Sequence, residues 1–147
     1  AGEAIAFSVI MILIYERWLW RIIPFEKTPR LEKEYVGVLT TTYKGNSLEK
    51  EIKLHVQQTL LKVSIILETD ESRSNSITAS LDRINNEWKL IYCYINVPNA
   101  NVRKRSEIHY GTAMLCADNA KELRGHYFTD RKTIGDMVFR SVRNSGE

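Results

Sequence analysis

The chain lacks the motifs by which most enzymes and metal sites are recognised. Its three histidines, His55, His109 and His126, form neither an HxH nor an HExxH pattern. No glycine-rich phosphate loop precedes a helix, and no nucleophile-elbow pattern surrounds a serine. We therefore predict that the protein is not an enzyme and that it uses no metal and no other cofactor.

Cysteine and net charge are also scarce. The two cysteines, Cys93 and Cys116, are too few for a disulfide framework and fit a reducing compartment. Against 21 lysines and arginines stand 18 acidic residues, a formal net charge of only +3. So small an excess does not indicate bulk binding of nucleic acid, and we expect no DNA or RNA polymer as a partner.

Long helical patterns are absent after residue 30, whereas seven tyrosines and many threonines, isoleucines and valines favour strands. Eight strand candidates follow one another, separated by turn residues such as Asn85-Asn86. They span residues 33–43, 49–57, 60–69, 73–83, 87–96, 107–117, 122–129 and 133–142. In an alternative interpretation the second and third candidates form one long bent strand. Eight short strands joined by short turns predict an all-β fold, an eight-stranded antiparallel up-and-down barrel over residues 32–143.

The most hydrophobic run, residues 4–15, carries no charge. As a helix it would rise about 18 Å, short of the roughly 30 Å hydrocarbon core of a bilayer. We interpret residues 1–23 as part of a transmembrane and juxtamembrane helix, with Trp18 and Trp20 at the headgroup level. A hydrophobic helix that packs on the barrel or on a second subunit is the alternative. The chain begins without methionine, so we expect that an upstream part has been removed.

Short segments complete the predicted domain organisation. Residues 24–31 contain two of the three prolines and are predicted to form a linker. Residues 144–147 are predicted to be a disordered tail.

One end of the predicted barrel is basic. Alternate turns of an up-and-down barrel lie at the same end, so residues 70–72, 97–106 and 130–132 share one rim, which faces away from the N-terminal helix. The basic residues of this rim are Arg73, Arg103, Lys104, Arg105, Arg131 and Lys132. A mouth lined by charge of one sign attracts anions.

A two-residue repeat runs through residues 123–135 and places alternate side chains on one face of an extended ribbon. That face carries Leu123, Gly125, Tyr127, Thr129, Arg131, Thr133 and Gly135. Glycines, hydroxyls and one guanidinium suit a crowded, partly polar interior and disfavour a wholly apolar one.

Further motifs extend this pattern over about residues 31–140. They are Tyr35-x-Gly37-x-Leu39, Gln58-Thr59, Ser72-x-Ser74-x-Ser76, Leu90-x-Tyr92-x-Tyr94-x-Asn96-x-Pro98 and His109-x-Gly111-Thr112. In order and spacing they resemble the cyclic-dinucleotide-sensing barrel of the two-transmembrane, β-strand-rich (SMODS-associating) effectors of bacterial CBASS-type anti-phage systems. The resemblance implies a cyclic dinucleotide as ligand, a nucleotide cyclase as functional partner and self-association into a homo-oligomer. It also implies a place in the bacterial inner membrane, with the barrel in the cytoplasm, and disruption of that membrane.

A ring with two phosphates and two bases needs cations, flat rings and hydrogen-bonding groups. Arg131 offers a forked donor for a phosphate, and Tyr94 and Tyr127 offer faces for base stacking. Hydroxyl and amide groups can read base edges or ribose hydroxyls, and His109 suits either task. The candidate ligand-binding residues are Ser74, Tyr94, Asn96, His109, Tyr127, Thr129, Arg131 and Thr133.

Which face of residues 73–83 and of residues 107–117 lines the barrel is open, and with it the orientation of Ser74 and His109. Residues 77, 79 and 81 are apolar, and unbroken alternation would place the serines on the opposite face, towards solvent. Two other functions also remain open. One is a lipocalin-like or fatty-acid-binding-like carrier of an apolar ligand, which the polar ribbon disfavours, and the other is a structural dimerisation module with an empty barrel.

Overall fold

The computed structural model describes residues 2–43 and 45–142. An α-helix, α1 (Gly2–Arg17), and a 3₁₀ turn (Leu19–Arg21) precede eight strands. The strands are β1 (Glu34–Tyr43), β2 (Asn46–Gln58), β3 (Val63–Glu68), β4 (Ser72–Ile84), β5 (Glu87–Pro98), β6 (His109–Cys116), β7 (Glu122–Thr129) and β8 (Ile134–Ser141). Each strand pairs antiparallel with the next, and β8 closes the barrel on β1. The predicted all-β barrel behind an N-terminal helix is confirmed, while the predicted tail, 144–147, lies outside the described residues.

The strand boundaries differ from the predicted ones by a few residues, and one alternative is wrong. The second and third candidates are separate strands, because residues 59–62 form a turn closed by a 2.8 Å hydrogen bond from the Thr59 amide to the Lys62 carbonyl. At the β4–β5 hairpin, Asn85 and Asn86 both adopt positive φ, as expected for residues that tolerate the left-handed region. The hairpin after β1 also lies at the rim, in addition to the three predicted loops.

The barrel interior is divided into an apolar and a polar half. At the end nearest α1, the inward side chains are large, apolar and fully buried; they include Tyr35, Leu54, Ile65, Leu90, Leu115, Leu123 and Phe139. Towards the rim the same strands turn polar inside, with Ser74, Asn96, His109 and Thr129 among the buried residues. The packed lower half therefore closes one end and leaves the space for a ligand at the rim.

A β-bulge in β4 explains how Ser74 faces inwards. Ser76 pairs with Tyr94 and Thr78 with Cys93, so Ile77 is an extra residue without a register partner. An extra residue reverses the side-chain alternation beyond it, because side chains alternate with a strict period of two. Ser74 before the bulge and Ala79 after it therefore both face the interior. The prediction from unbroken alternation, that Ser74 faces solvent, is therefore wrong.

The helix α1 ends at Arg17, before the predicted boundary at residue 23. Its 16 residues rise about 24 Å, and large apolar side chains such as Ile5 and Phe7 are exposed. Within residues 2–43 and 45–142 we find no helix with the length and apolarity needed to cross a membrane. Trp20 is fully buried in the protein, with the Arg21 guanidinium 5.1 Å from its ring centre, whereas Trp18 is exposed. Their position at the headgroup level stays a prediction.

The Gln58-Thr59 motif ties the N-terminal segment to the lower end of the barrel. The Gln58 side-chain amide donates to the Pro29 carbonyl at 2.8 Å and accepts from the Leu31 amide at 2.9 Å. The Thr59 hydroxyl donates to the carboxylate of Glu16 in the last turn of α1. These contacts place α1 at the end of the barrel opposite the rim, as predicted.

Candidate ligand-binding site

A cavity of about 140 Å³ lies inside the rim end of the barrel. Its lining includes all eight candidate residues, Ser74, Tyr94, Asn96, His109, Tyr127, Thr129, Arg131 and Thr133. The structure thus brings together every residue that the sequence singled out for ligand binding. Seven of them are buried, and Arg131 is exposed at the mouth.

A row of polar side chains crosses three neighbouring strands at one level of the cavity. Ser74 on β4 pairs with Asn96 on β5, which in turn pairs with His109 on β6. The Asn96 side-chain amide donates to the hydroxyls of Ser74 and Ser72, at 2.8 and 3.0 Å. These hydrogen bonds fix the orientation of the Asn96 amide and leave its oxygen available to a donor in the cavity.

Two tyrosine rings lie across glycines on adjacent strands. Tyr94 is the register partner of Gly111, and Tyr127 is the register partner of Gly135. A Cβ atom at position 111 would come within 2.4 Å of the Tyr94 ring, and one at position 135 within 2.6 Å of the Tyr127 ring. The glycines are therefore required for the rings to cross the inner face of the sheet, where they line the cavity.

The tyrosines near the cavity remain protonated at neutral pH. Burial raises the pKa of Tyr94 and of Tyr127 above the ordinary value of 10.0. Burial also raises the pKa of Tyr92, whose hydroxyl has no hydrogen-bond partner among the described residues. Tyr92 also lines the cavity, but its hydroxyl is itself buried.

Arg131 reaches over the mouth from the β7–β8 turn. Its guanidinium donates to the Ser106 hydroxyl at 3.1 Å and lies 3.4 Å from Nε2 of His109. Nδ1 of His109 lies 2.9 Å from the Glu107 carbonyl, which can only accept, so this nitrogen carries the proton and Nε2 accepts from Arg131. Burial, assisted by the neighbouring guanidinium, lowers the pKa of His109 below its ordinary value of 6.5. The pair is therefore a fixed cation beside a neutral ring.

Two threonines shape the turn that presents Arg131. The Thr129 and Thr133 hydroxyls are 2.5 Å apart, and the Thr129 amide donates to the Thr133 carbonyl at 3.0 Å. Lys132 between them adopts a φ of 61°, which directs the chain sharply back into β8. Arg131 thus stands at the tip of a tightly bonded hairpin.

The sequence interpretation missed several residues that line the cavity. On β2, Lys50 faces the interior like Ile52, Leu54 and Val56, which follow it at every second position. The period-two pattern was therefore sufficient to identify Lys50 as an inward residue. Glu71 lies in the β3–β4 turn, where no alternation indicates the direction of a side chain.

Residues 99–106 form a series of hydrogen-bonded turns over the mouth, which we call the lid. Val102 in the lid is buried and lines the cavity. Three contacts help to hold the lid. The Asn99 amide donates to the Glu71 carbonyl at 2.8 Å, and Arg105 forms an ion pair with the Glu71 carboxylate. The Arg131 guanidinium donates to the Ser106 hydroxyl. Nothing in the local sequence distinguishes a buried loop valine from an exposed one.

The donor set of the cavity fits an anionic organic ligand. Cations stand at the mouth, and aromatic faces, hydroxyls and one amide stand below them. Across residues 2–43 and 45–142, the His, Cys, Asp and Glu side chains form no group of three or more suited to a metal ion.

Comparison with known proteins agrees with this arrangement. A family model described as "Cap15, cyclic dinucleotide receptor domain" matches residues 26–141, which include all eight strands. The chain is 33% identical to CD-NTase-associated protein 15 of Staphylococcus schleiferi over 142 residues, covering 95% of this chain and 77% of that protein. It is 32% identical to CD-NTase-associated protein 15 of Yersinia aleksiciae over 139 residues, covering 89% of this chain and 65% of that protein. The predicted effector family is confirmed in its receptor domain, and its two-transmembrane part stays a prediction. The chain belongs to the family of Cap15 cyclic dinucleotide receptor domains.

Proposed function

We propose that the rim cavity binds a cyclic dinucleotide and that the protein is a receptor, not an enzyme. The observation that carries this proposal is the convergence of a guanidinium, two tyrosine rings and a row of hydrogen-bonding groups on one cavity of a Cap15 receptor domain. Arg131 contacts a phosphate by charge-assisted hydrogen bonds, and the rings of Tyr94 and Tyr127 stack on the bases. Asn96 and the threonine hydroxyls contact base edges or ribose hydroxyls.

Binding requires the lid to move. A cavity of about 140 Å³ has room for a single small ring, because a cavity of about 150 Å³ holds benzene. A cyclic dinucleotide is several times larger, so residues 99–106 move outwards when it binds. This movement breaks the hydrogen bond from the Asn99 amide and the contacts of Arg105 and Ser106, and it withdraws the apolar side chain of Val102 from the cavity.

An apolar carrier function is the weaker candidate. The lower half of the barrel is filled by its own side chains, and the open part of the interior is lined by polar groups together with Leu39, Leu67 and Met137. A fatty acid would place its chain where Ser74, Asn96 and Thr129 present hydrogen-bonding groups, and those groups would lose their partners.

We further propose that the protein acts at the bacterial inner membrane, with the barrel in the cytoplasm, as an anti-phage effector. Support comes from the exposed apolar side chains of α1 and from the name of the two relatives, which associates them with CD-NTases. In this proposal a nucleotide cyclase supplies the ligand, and the receptor self-associates and disrupts the membrane. Whether the ligand activates or restrains the effector is decided by comparing the assembly state with and without it.

The test of ligand binding is calorimetry on the 147-residue chain in detergent. The ligands are cyclic di-AMP, cyclic di-GMP, cyclic di-UMP and, as the apolar comparison, palmitate. We expect micromolar or tighter binding of at least one cyclic dinucleotide, with affinity that falls as salt rises because the phosphate contacts are screened. Binding of palmitate alone would overturn the receptor function in favour of the carrier.

A further inference from the structure

A second group of charges lies at the mouth, on the side opposite Arg131. Lys50 Nζ is 2.6 Å from Oε2 of Glu71, and the Arg105 guanidinium contacts Oε1 of the same carboxylate. The β3–β4 turn that carries Glu71 and the β7–β8 turn that carries Arg131 are separated by half of the barrel circumference. The rim therefore has two cationic centres facing each other across the cavity.

The two centres differ in what their cations contact. Arg131 contacts neutral groups, the Ser106 hydroxyl and the His109 ring. Lys50 and Arg105 share a carboxylate, which is the kind of group that a phosphate resembles in charge and in hydrogen bonding. Hydrogen bonding from Lys50 holds the pKa of the Glu71 carboxyl below its ordinary value, so the carboxylate is charged near neutral pH.

Glu71 stands on a rigid turn. The Thr69 hydroxyl accepts from the amides of Glu71 and Ser72 at 3.1 and 3.0 Å, and the Thr69 amide donates to the Ser72 carbonyl at 2.9 Å. The backbone is thereby fixed while the Glu71 side chain remains about one-third exposed. The carboxylate can therefore leave Lys50 by side-chain rotation alone, without any change in the barrel.

We propose that Glu71 is an internal counter-ion and that a phosphate of the nucleotide takes its place on Lys50 and Arg105. This inference rests on the proposed binding of a cyclic dinucleotide, whose two phosphates lie on opposite sides of its ring. One phosphate is then held by Arg131, and the other by Lys50 and Arg105. Glu71 lowers the affinity for every anion that cannot displace it, and so selects ligands that carry two phosphates at the right separation.

The same exchange loosens the lid. Two side-chain contacts of the lid involve arginines at the mouth: Arg105 of the lid contacts Glu71 in the β3–β4 turn, and Arg131 of the β7–β8 turn contacts Ser106 of the lid. A ligand that engages both guanidiniums with phosphate removes both contacts at once. Opening of the lid is thereby coupled to occupation of both cationic centres.

The decisive variant is Glu71→Gln, which keeps the shape of the side chain and removes its charge. The ligand is whichever of cyclic di-AMP, cyclic di-GMP and cyclic di-UMP binds to the wild type. We expect Glu71→Gln to bind this ligand about threefold to tenfold more tightly, because a like charge a few ångströms from the phosphate has been removed. Lys50→Gln should lower the affinity for the same ligand by about fivefold or more, because a positive charge that attracts the phosphate is lost. A thermal melt of each variant confirms that the barrel is folded.

Glu68→Gln is the matched control. Glu68 is a similarly exposed carboxylate in an ion pair with Arg73, at 3.3 Å, and it does not line the cavity. We expect its affinity to equal that of the wild type within about twofold. If the wild type binds a nucleotide and Glu71→Gln binds it equally or more weakly, the counter-ion role is overturned and the proposed function stands. Failure of the wild type and of Glu71→Gln to bind any of the three nucleotides overturns the proposed function itself.

Discussion

The Tyr94 ring lies across Gly111 on the neighbouring strand, and a methyl group at position 111 would come within 2.4 Å of ring atoms. Gly111→Ala therefore forces the ring out of its position on the cavity wall. We expect it to weaken binding of a cyclic dinucleotide by about 1–3 kcal/mol, the contribution of one base–aromatic stack, and to be detectable by calorimetry.

Gly125→Ala separates this effect from general loss of stability. A Cβ atom at position 125 would meet the Met114 carbonyl oxygen at 1.9 Å, and a backbone atom in a closed barrel cannot rotate away. We expect a much lower melting temperature for Gly125→Ala than for Gly111→Ala. Wild-type affinity in Gly111→Ala would show that Tyr94 is not a stacking face.

A second prediction compares two buried tyrosines. The Tyr35 hydroxyl donates to the Ala120 carbonyl at 2.5 Å and accepts from the Glu32 amide at 2.9 Å, whereas the Tyr92 hydroxyl has no partner among the described residues. Tyr35→Phe should lower the free energy of unfolding by about 1–3 kcal/mol, because two partly buried backbone groups lose their partner. Tyr92→Phe should leave it unchanged or raise it. Urea unfolding measures both, and an equal loss in the two variants would show that Tyr92 has a partner in solution.

The third prediction concerns the guanidinium at the mouth. Arg131→Ala should cost about 1.5–3 kcal/mol of cyclic dinucleotide binding, the contribution of a hydrogen bond to a charged group, and should leave the melting temperature nearly unchanged. Arg131→Lys should restore only part of the affinity, because the forked geometry is lost. The adjacent Lys132 is exposed and does not line the cavity, so Lys132→Ala is the matched control. Equal affinities for Arg131→Ala and Lys132→Ala would make Arg131 an ordinary surface residue.

The fourth prediction is a pH dependence of stability that arises at His109. Its folded-state pKa lies below the ordinary value of 6.5, because burial disfavours the charged ring. As the pH falls below about 6.5, the unfolded chain therefore takes up a proton before the folded chain does, and the free energy of unfolding decreases. This contribution is fully present above that pH and is lost as the pH falls through the folded-state pKa.

Urea unfolding at several values between pH 7.5 and pH 5.0 measures this dependence. The carboxyl of Glu71, whose pKa is lowered from 4.5 in the folded chain, contributes to the slope only near pH 5.0, where the unfolded chain begins to take up a proton, and it contributes equally in wild type and variant. We expect His109→Gln to reduce the loss of stability towards low pH. An identical slope in wild type and variant would show that His109 titrates alike in both states.

The strand pattern was sufficient to predict the barrel, the rim and the face that carries Tyr127, Thr129 and Thr133, but it left open the inward faces of β4 and β6, which carry Ser74 and His109. Two kinds of feature were beyond it. The bulge at Ile77 reverses the inward face of β4, and no local composition marks the position of an extra residue. Glu71 and Val102 lie in loops, where the direction of a side chain is set by tertiary contacts. Lys50, in contrast, continues the inward alternation of the apolar residues on β2, and it was not predicted to face inwards because it is charged.

The last prediction concerns the connection between the barrel and α1. The β2–β3 turn holds the helix end by three contacts to Glu16: the Thr59 hydroxyl and the Leu61 amide reach its carboxylate, and the Leu60 amide donates to its backbone carbonyl at 2.9 Å. This turn lies at the end of the barrel opposite the cavity. A closed barrel is stiff, so we expect the proposed ligand signal to be carried by a change in subunit association and not by internal rearrangement.

Thr59→Val keeps the side-chain shape and removes the donor to Glu16. We expect faster hydrogen exchange at the Leu60 and Leu61 amides, consistent with a loss of about 1 kcal/mol, and cyclic dinucleotide affinity within about twofold of wild type. Exposed Thr78 on β4 provides the control, Thr78→Val, which should alter neither quantity. In light scattering with detergent, the wild type should form assemblies of different size with and without the nucleotide. Thr59→Val should reduce that difference in size, because its helix is less firmly attached to the barrel. Assemblies of equal size with and without nucleotide in the wild type would exclude association as the route of the signal, even with nucleotide binding established.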